Sequence, residues 1–261
     1  MTGDAPTEPL EPLAFRPRVV LASLSGEADA AWARAASEYA GAAVLGGIAL
    51  DEPTREAARE LVARDRTEFL PADPVAFVDE QLATLADAPL RAGFNVRTTA
   101  LDPLREVAAV CRDRDAFVEI NAHCRQDEMC AAGAGEILLR ESDRLREQVE
   151  TAAETGATVS VKVRTEVPGV DLPALAERLE TAGADAVHVD AMDSEAVVGD
   201  VAAATDLFVI ANNEVRDEAS VREYLAYGAD AVSVGRPSDE PAVLERVRDA
   251  ATAWFAEGVE S

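Results

Sequence analysis

Eight short runs rich in Val, Ile, Ala and other strand-forming residues alternate with longer Ala, Leu, Glu and Arg-rich stretches along the whole chain. That alternation is the signature of repeated strand-helix units and a parallel sheet. The runs fall at residues 19–24, 42–45, 93–97, 116–121, 159–164, 186–190, 207–212 and 231–235. Eight parallel strands close a barrel, and 261 residues is the usual size for one. A doubly wound open sheet would need a glycine-rich dinucleotide turn after its first strand, whereas Leu24-Ser-Gly-Glu27 stands there. The expected fold is therefore α/β, a single-domain (β/α)₈ TIM barrel over residues 17–257.

The intervening stretches carry apolar residues at helical spacing, as in 172–181 and 219–227, and each of these two runs into Gly-Ala-Asp before the next strand. Gly183 and Gly228 are natural helix stops, because glycine tolerates the left-handed backbone that ends a helix. Residues 51–91 are too many for one crossover and predict two helices, 54–65 and 74–86, joined by a loop at 66–73. A helical excursion of this length between strands 2 and 3 is a candidate lid on the barrel mouth. Residues 1–16, rich in Pro and Glu, are expected to be poorly ordered or extended; 241–257 is expected to be the last barrel helix, with Trp254 and Phe255 inward, and 258–261 a tail. No further domain is expected after the barrel.

Strand side chains alternate between the helical shell and the barrel interior. In the third to sixth strands Phe94, Val96, Val118, Ile120, Val161, Val163, Val187 and Val189 form the outward, apolar set. The inward set is then Asn95 and Arg97, Glu119 and Asn121, Lys162 and Arg164, and His188 and Asp190. Barrel interiors are normally filled with branched aliphatic side chains, and each buried ionisable group costs several kcal/mol unless it is paired or meets a polar ligand. The inward set therefore reads as a ligand site at the strands' C-terminal ends, with an internally satisfied ion-pair network as the alternative. After the seventh and eighth strands, Asn212 and Gly235-Arg236 stand where barrels commonly cradle phosphate.

Charge constrains partners less than its size implies. There are 50 acidic and 24 basic residues, a formal net charge of −26, and Lys162 is the single lysine among the basic residues. Abundant acid with arginine replacing lysine points to a halophilic proteome, and at about 1 M salt the Debye length falls to roughly 3 Å, so this acidity does not exclude RNA. That the one lysine sits on an inward barrel position favours a site needing a compact ammonium. No apolar run approaches the roughly 18 residues that span a bilayer, and the first residues lack a signal-peptide pattern, so a cytoplasmic protein without a membrane partner is expected. Three cysteines, Cys111, Cys124 and Cys130, cannot all pair and read as free thiols. A zinc site from His123, Cys124 and Cys130 would lack a fourth ligand, and no metal is expected.

Four segments, in order on successive barrel positions, carry a family resemblance. Glu119-Ile-Asn-Ala-His-Cys-Arg125 resembles the I-N-x-G-C-P segment of the tRNA-dihydrouridine synthases, and Gly133-Ala-Gly-Glu-Ile-Leu-Leu139 their G-x-G-x-x-L-L. Val161-Lys-Val-Arg164 matches V-K-x-R, Ala211-Asn-Asn-Glu-Val215 matches N-G-x-I, and Gly228-Ala-Asp-Ala-Val with Val234-Gly-Arg236 matches the closing G-A-D-x-V-x-x-G-R. The resemblance runs from about Phe94 to Pro237, and uncharacterised archaeal proteins form a closely similar set.

It implies an FMN-dependent oxidoreductase that reduces the C5–C6 double bond of uridine in tRNA, with NADPH or NADH as reductant. It further implies that Lys162 approaches the flavin ring, that Asn212, Gly235 and Arg236 hold the FMN phosphate, that Asn121 orients the base and that Cys124 gives the proton. Arg97, Arg164, His188 and Asp190 are further candidates for cofactor contact. The sequence departs from the family at His123 (family glycine), Arg125 (proline), Asp190 (a flavin-contacting histidine) and Asn213 (glycine), and His188 could compensate from the same inward face. The helical tRNA-binding domain that follows the barrel in the family is expected to be missing here, which weakens the tRNA expectation, while the Cys124 motif favours it. Two alternatives stay open: an FMN oxidoreductase for a free pyrimidine or other small molecule, and a non-redox barrel binding a phosphorylated metabolite. Oligomeric state is not legible.

Overall fold

A computed structural model describes residues 13–257. Eight strands, β1 Val19–Leu21, β2 Ala42–Ala49, β3 Arg91–Arg97, β4 Phe117–Asn121, β5 Thr158–Arg164, β6 Ala186–Asp190, β7 Phe208–Asn212 and β8 Ala231–Val234, close in sequence order into one barrel. Every neighbouring pair is parallel, and β1 pairs with both β2 and β8. This is the expected (β/α)₈ architecture. Two strand ends differ from expectation by more than two residues. β2 runs on through Gly46 and Gly47, because their positive φ values of 85° and 64° form a bulge against β3 and the ladder resumes at Ile48. β1 stops at Leu21, after which Ala22 N still donates to Val234 O at 2.9 Å.

Several helices start on aspartate caps. Asp51, Asp73, Asp171 and Asp217 each accept a backbone N–H from the first turn of the helix that follows, and a proline occupies the first turn of three of these helices. Gly183 and Gly228 end theirs at φ values of 98° and 99°. The aspartates two residues later, Asp185 and Asp230, turn their carboxylates onto the N–H groups of Val159 and Val209, each at 2.8 Å. The repeated Gly-Ala-Asp thus ends a helix and ties the next strand to its predecessor.

Alternation divides the core in two. Outward strand residues such as Val96, Ile120, Val161, Val189 and Val234 join the helices in one large apolar shell. Inward residues at the N-terminal end of the barrel, Val20, Ala42, Val44, Phe117, Ala186, Phe208, Ile210 and Ala231, form a separate apolar floor. Leu13 and Phe15 complete that floor, Phe15 packing its ring 5.5 Å from Phe208. The poor order expected for 1–16 therefore does not extend to 13–16, because two apolar side chains find a dry seat there; residues 1–12 and the tail 258–261 lie outside the described residues. Trp254 and Phe255, at the end of helix Pro241–Glu257, are half-buried against the shell.

The excursion after β2 contains helices Glu52–Val62 and Pro74–Thr84, and the loop between them lies on the barrel mouth. Thr67 donates its hydroxyl to Ser25 O at 3.1 Å. Gly26, at φ 74°, lets the two loops touch: a Cβ there would stand 2.6 Å from Glu68 N. Glu68 reaches further down to Arg97 on β3.

Candidate functional site

Above the apolar floor the interior becomes polar in two layers. The lower comprises Asn95, Glu119, Ser160, His188 and Ser233, all essentially without solvent exposure. Glu119 is its centre. One carboxylate oxygen accepts from Asn95 Nδ2 at 2.7 Å; the other accepts from His188 Nδ1 at 2.8 Å and Ser160 Oγ at 3.5 Å. His188 Nε2 meets Ser233 Oγ at 2.7 Å, and Asn212 Nδ2 donates to that same oxygen at 2.6 Å. On the other side Asn121 Nδ2 donates to Asn95 Oδ1 at 2.9 Å. Burial pushes the Glu119 carboxyl up, but His188, Lys162 and Asn95 outweigh it and hold Glu119 below the usual carboxylate range. Burial and Lys162 push His188 below its ordinary value against the pull of Glu119. Glu119 is thus ionised and His188 neutral.

The upper layer opens into a cavity of about 790 Å³ at the C-terminal ends of the strands, within the range of small-ligand sites. Its wall includes Lys162, Asp190, Asn212, Gly235 and Arg236, five of the residues singled out in the sequence. Ser23, Ser25, the lid residues Asp65 to Thr67, and His123 complete much of it. Lys162 is only 3% exposed, and no hydrogen bond or close ion pair to its ammonium occurs among the described residues. Burial lowers its pKa, while Glu119 and Asp190 pull it back up through space. Arg236 likewise has no side-chain partner among the described residues, whereas Arg216 is engaged by Glu214 at 2.7 Å.

Other expected cofactor contacts are placed elsewhere. Arg97 is 1% exposed, bonded to Glu68 and to Gly47 O; it anchors the lid and does not line the cavity. Arg164 donates to Glu136 at 2.7 Å and so fastens the segment Gly133–Leu139 to β5. His188 lies one layer below the cavity with both ring nitrogens engaged. All three face inward, and each charge or ring is paired with protein partners, although the Nε donors of Arg97 and Arg164 stay buried without an acceptor among the described residues.

The turn after β4 shows what its sequence pattern accomplishes. Asn121 Oδ1 accepts the N–H groups of Cys124 at 3.0 Å and His123 at 3.3 Å, so both polar atoms of Asn121 serve the protein. Gly135, at φ 73°, lets the next residue donate Glu136 N to Cys124 O at 2.9 Å; a Cβ at 135 would lie 2.3 Å from that oxygen. The Cys124 side chain packs with Ala57, Leu61, Met129 and Ala134 beside the cavity, while His123 faces it. His123 Nε2 stands 4.0 Å from Asp190 Oδ2. Burial, with the Lys162, Arg164 and Arg97 cations nearby, drives the His123 pKa well below its ordinary value. His123, a departure from the family pattern, is thus a site residue that the sequence motifs do not mark, its place at a strand's mouth end being the one usable signal. Cys111, by contrast, is fully buried in the shell and its thiol is pushed up to about 12 by burial.

Residues 50–258 match the family model described as dihydrouridine synthase. An uncharacterised protein of Methanocaldococcus jannaschii is 26% identical over 232 residues, covering 84% of this chain and 88% of that protein. Among solved structures, a FabK mutant from Thermotoga maritima superposes with a TM-score of 0.57 at 17% identity, over 86% of this chain. The chain spans 62% of that FabK's length. Thiamine phosphate pyrophosphorylase from Pyrococcus furiosus gives a TM-score of 0.54 at 13% identity, over 93% of this chain and 97% of its own. At these identities the two structures speak for the barrel alone.

Proposed function

Because this chain belongs to the dihydrouridine synthase family, we propose that it reduces the C5–C6 double bond of uridine in tRNA, using FMN with NADPH or NADH as reductant. The observation that carries this reading is Lys162: a lysine 3% exposed in a cavity wall, with no acceptor for its ammonium among the described residues, in a chain with no other lysine. A buried cation in this state calls for an electron-rich ligand group. A flavin fits that requirement, since its ring offers carbonyl and ring-nitrogen acceptors to Lys162 while Arg236 is free to meet its phosphate.

When bound, the reduced flavin supplies hydride to one carbon of the uracil double bond. Lys162 holds the ligand by its ammonium, and the wall from Asp190 to Arg236 limits how it can lie. The lid loop at 66–73 excludes water from the mouth. Cys124, in the turn that Asn121 and Gly135 hold beside the cavity, gives the proton to the other carbon.

Purification at high salt followed by mass spectrometry of the released cofactor tests the first half: FMN is expected, and FAD, or no flavin after reconstitution, overturns it. Incubation of the flavin-loaded enzyme with NADPH and unmodified tRNA tests the second, with dihydrouridine as the expected product. Absence of product on any tRNA, with uracil or another free pyrimidine reduced instead, moves the substrate to a small molecule.

A further inference from the structure

Of the groups that bond to one another beneath the cavity, most can reverse their hydrogen-bonding sense. An amide can flip, a hydroxyl can turn and a neutral imidazole can change tautomer, but an ionised carboxylate only accepts. Glu119 therefore sets the direction for the rest. Asn95 must present Nδ2 to it, which leaves Asn95 Oδ1 to accept from Asn121 Nδ2 and turns Asn121 Oδ1 onto the Cys124 and His123 amides. In the other direction His188 must carry its hydrogen on Nδ1, so Nε2 is an acceptor and takes the Ser233 hydroxyl proton. With its hydrogen spent there, Ser233 Oγ can only accept from Asn212, through Nδ2. Asn212, which lines the cavity, is left with Oδ1 and its second Nδ2 hydrogen, and the direction of the chain fixes which way the two point.

We propose that Glu119 is a positioning residue whose carboxylate fixes this chain of hydrogen bonds end to end, making Asn212 a hydrogen-bond acceptor in the cavity. The ligand group facing Asn212 is then an O–H or N–H, such as a hydroxyl of a sugar-like chain or an imide N–H. Oδ1 cannot face a dianionic phosphate, which has no proton to give, so the phosphate contact at that atom falls to Arg236. The ligand half of this inference rests on the flavin reading; the hydrogen-bond half does not.

The chain has two histidines, so ¹⁵N NMR of histidine-labelled protein, assigned with His123→Gln, reads the His188 tautomer directly. Wild type is expected to show a neutral His188 protonated on Nδ1. Glu119→Gln can donate to Nδ1, so the proton should move to Nε2, Ser233 should turn its hydroxyl toward Asn212, and FMN affinity should fall about tenfold or more, the size of one buried hydrogen bond left unmade. Adding Asn212→Asp to Glu119→Gln restores an acceptor that faces both Ser233 and the cavity, and should recover FMN affinity. If Glu119→Gln does not fold, Ser233→Ala breaks the chain at its far end: His188 should keep Nδ1–H and FMN binding should still weaken. A wild-type His188 protonated on Nε2, unchanged FMN affinity in either single variant, or no recovery in the double variant overturns the proposal. A wild-type protein with the Nδ1 tautomer but no affinity for FMN would instead refute the flavin reading alone.

Discussion

Glu68→Gln tests how the lid is held. Glu68 is the loop's anchor to the barrel: its carboxylate meets the Arg97 guanidinium where the two side chains are 3% and 1% exposed, and Arg97 Nη1 donates to Oε1 at 3.2 Å. Removing one partner of a buried pair leaves the other charge uncompensated, which costs about 3–5 kcal/mol. The protein need not unfold to escape that cost, since lifting the loop at 66–73 lets water reach Arg97. The cost should therefore appear as local opening, and at 1.4 kcal/mol per tenfold it corresponds to about two to three and a half orders of magnitude in the opening equilibrium. Native-state hydrogen exchange followed by peptide mass spectrometry reads this directly. Protection of amides at 64–73 should fall by that factor, while β4 to β8 exchange as in wild type. Unchanged protection at 64–73, or an equal loss through the barrel, would refute the assignment of Arg97 to lid anchoring.

Three further substitutions bear on the site and its frame. Lys162→Arg keeps the charge but replaces a compact ammonium by a broad guanidinium, so FMN affinity should drop about tenfold or more with an altered flavin absorbance spectrum, measured by fluorescence titration; wild-type affinity and spectrum would make Lys162 structural. Cys124→Ala should bind FMN and accept electrons from NADPH normally yet reduce uridine about 10²- to 10⁴-fold more slowly, with Cys111→Ala and Cys130→Ala still active; near-normal reduction would remove Cys124 as proton donor. Asp51→Ala removes a helix cap and the bonds to Thr99 N and Oγ, and should cost about 2–4 kcal/mol in urea unfolding at pH 7. Burial pushes the Asp51 carboxyl up, but hydrogen bonds from Thr54 and Thr99 win and hold it below its ordinary value. Its contribution is thus complete above the unfolded pKa of about 3.9 and disappears as pH falls through the lower folded value; a wild-type advantage that persisted unchanged at pH 2 would contradict this.

The barrel was legible because its two periodicities are local. Period-two runs such as Val159 to Arg164 and helical runs ending at Gly183 and Gly228 declare themselves within a few residues. What was not legible depended on compensation between distant segments. A double glycine at 46 and 47 reads as the end of a strand, yet here it is a bulge that keeps β2 paired with β3. Leu13 and Phe15 sit in a stretch rich in Pro and Glu, and only the closed floor beneath Phe208 and Val20 explains why they are packed.

The site divides along the same line. That eight polar residues of β3 to β6 face inward followed from alternation; which of them meet ligand did not, because that depends on what else has already met them. Arg97 is consumed by Glu68, 29 residues earlier, and Arg164 by Glu136, 28 residues earlier. His188 is consumed by Glu119 and Ser233, the latter a small inward residue that carried no signal of its own. Lys162 and Asp190 are the exceptions: both line the cavity, Asp190 comes no closer than 4.0 Å to His123, and Lys162 has two carboxylates at a distance and no acceptor in contact among the described residues. The polar interior is thus hydrogen-bonded within itself in its lower layer, and above it opens into a cavity that Lys162 faces with no protein acceptor among the described residues. The lower layer earns its place by what it does to the upper one. A carboxylate that cannot donate, set at the bottom, leaves the amides above it a single way to turn.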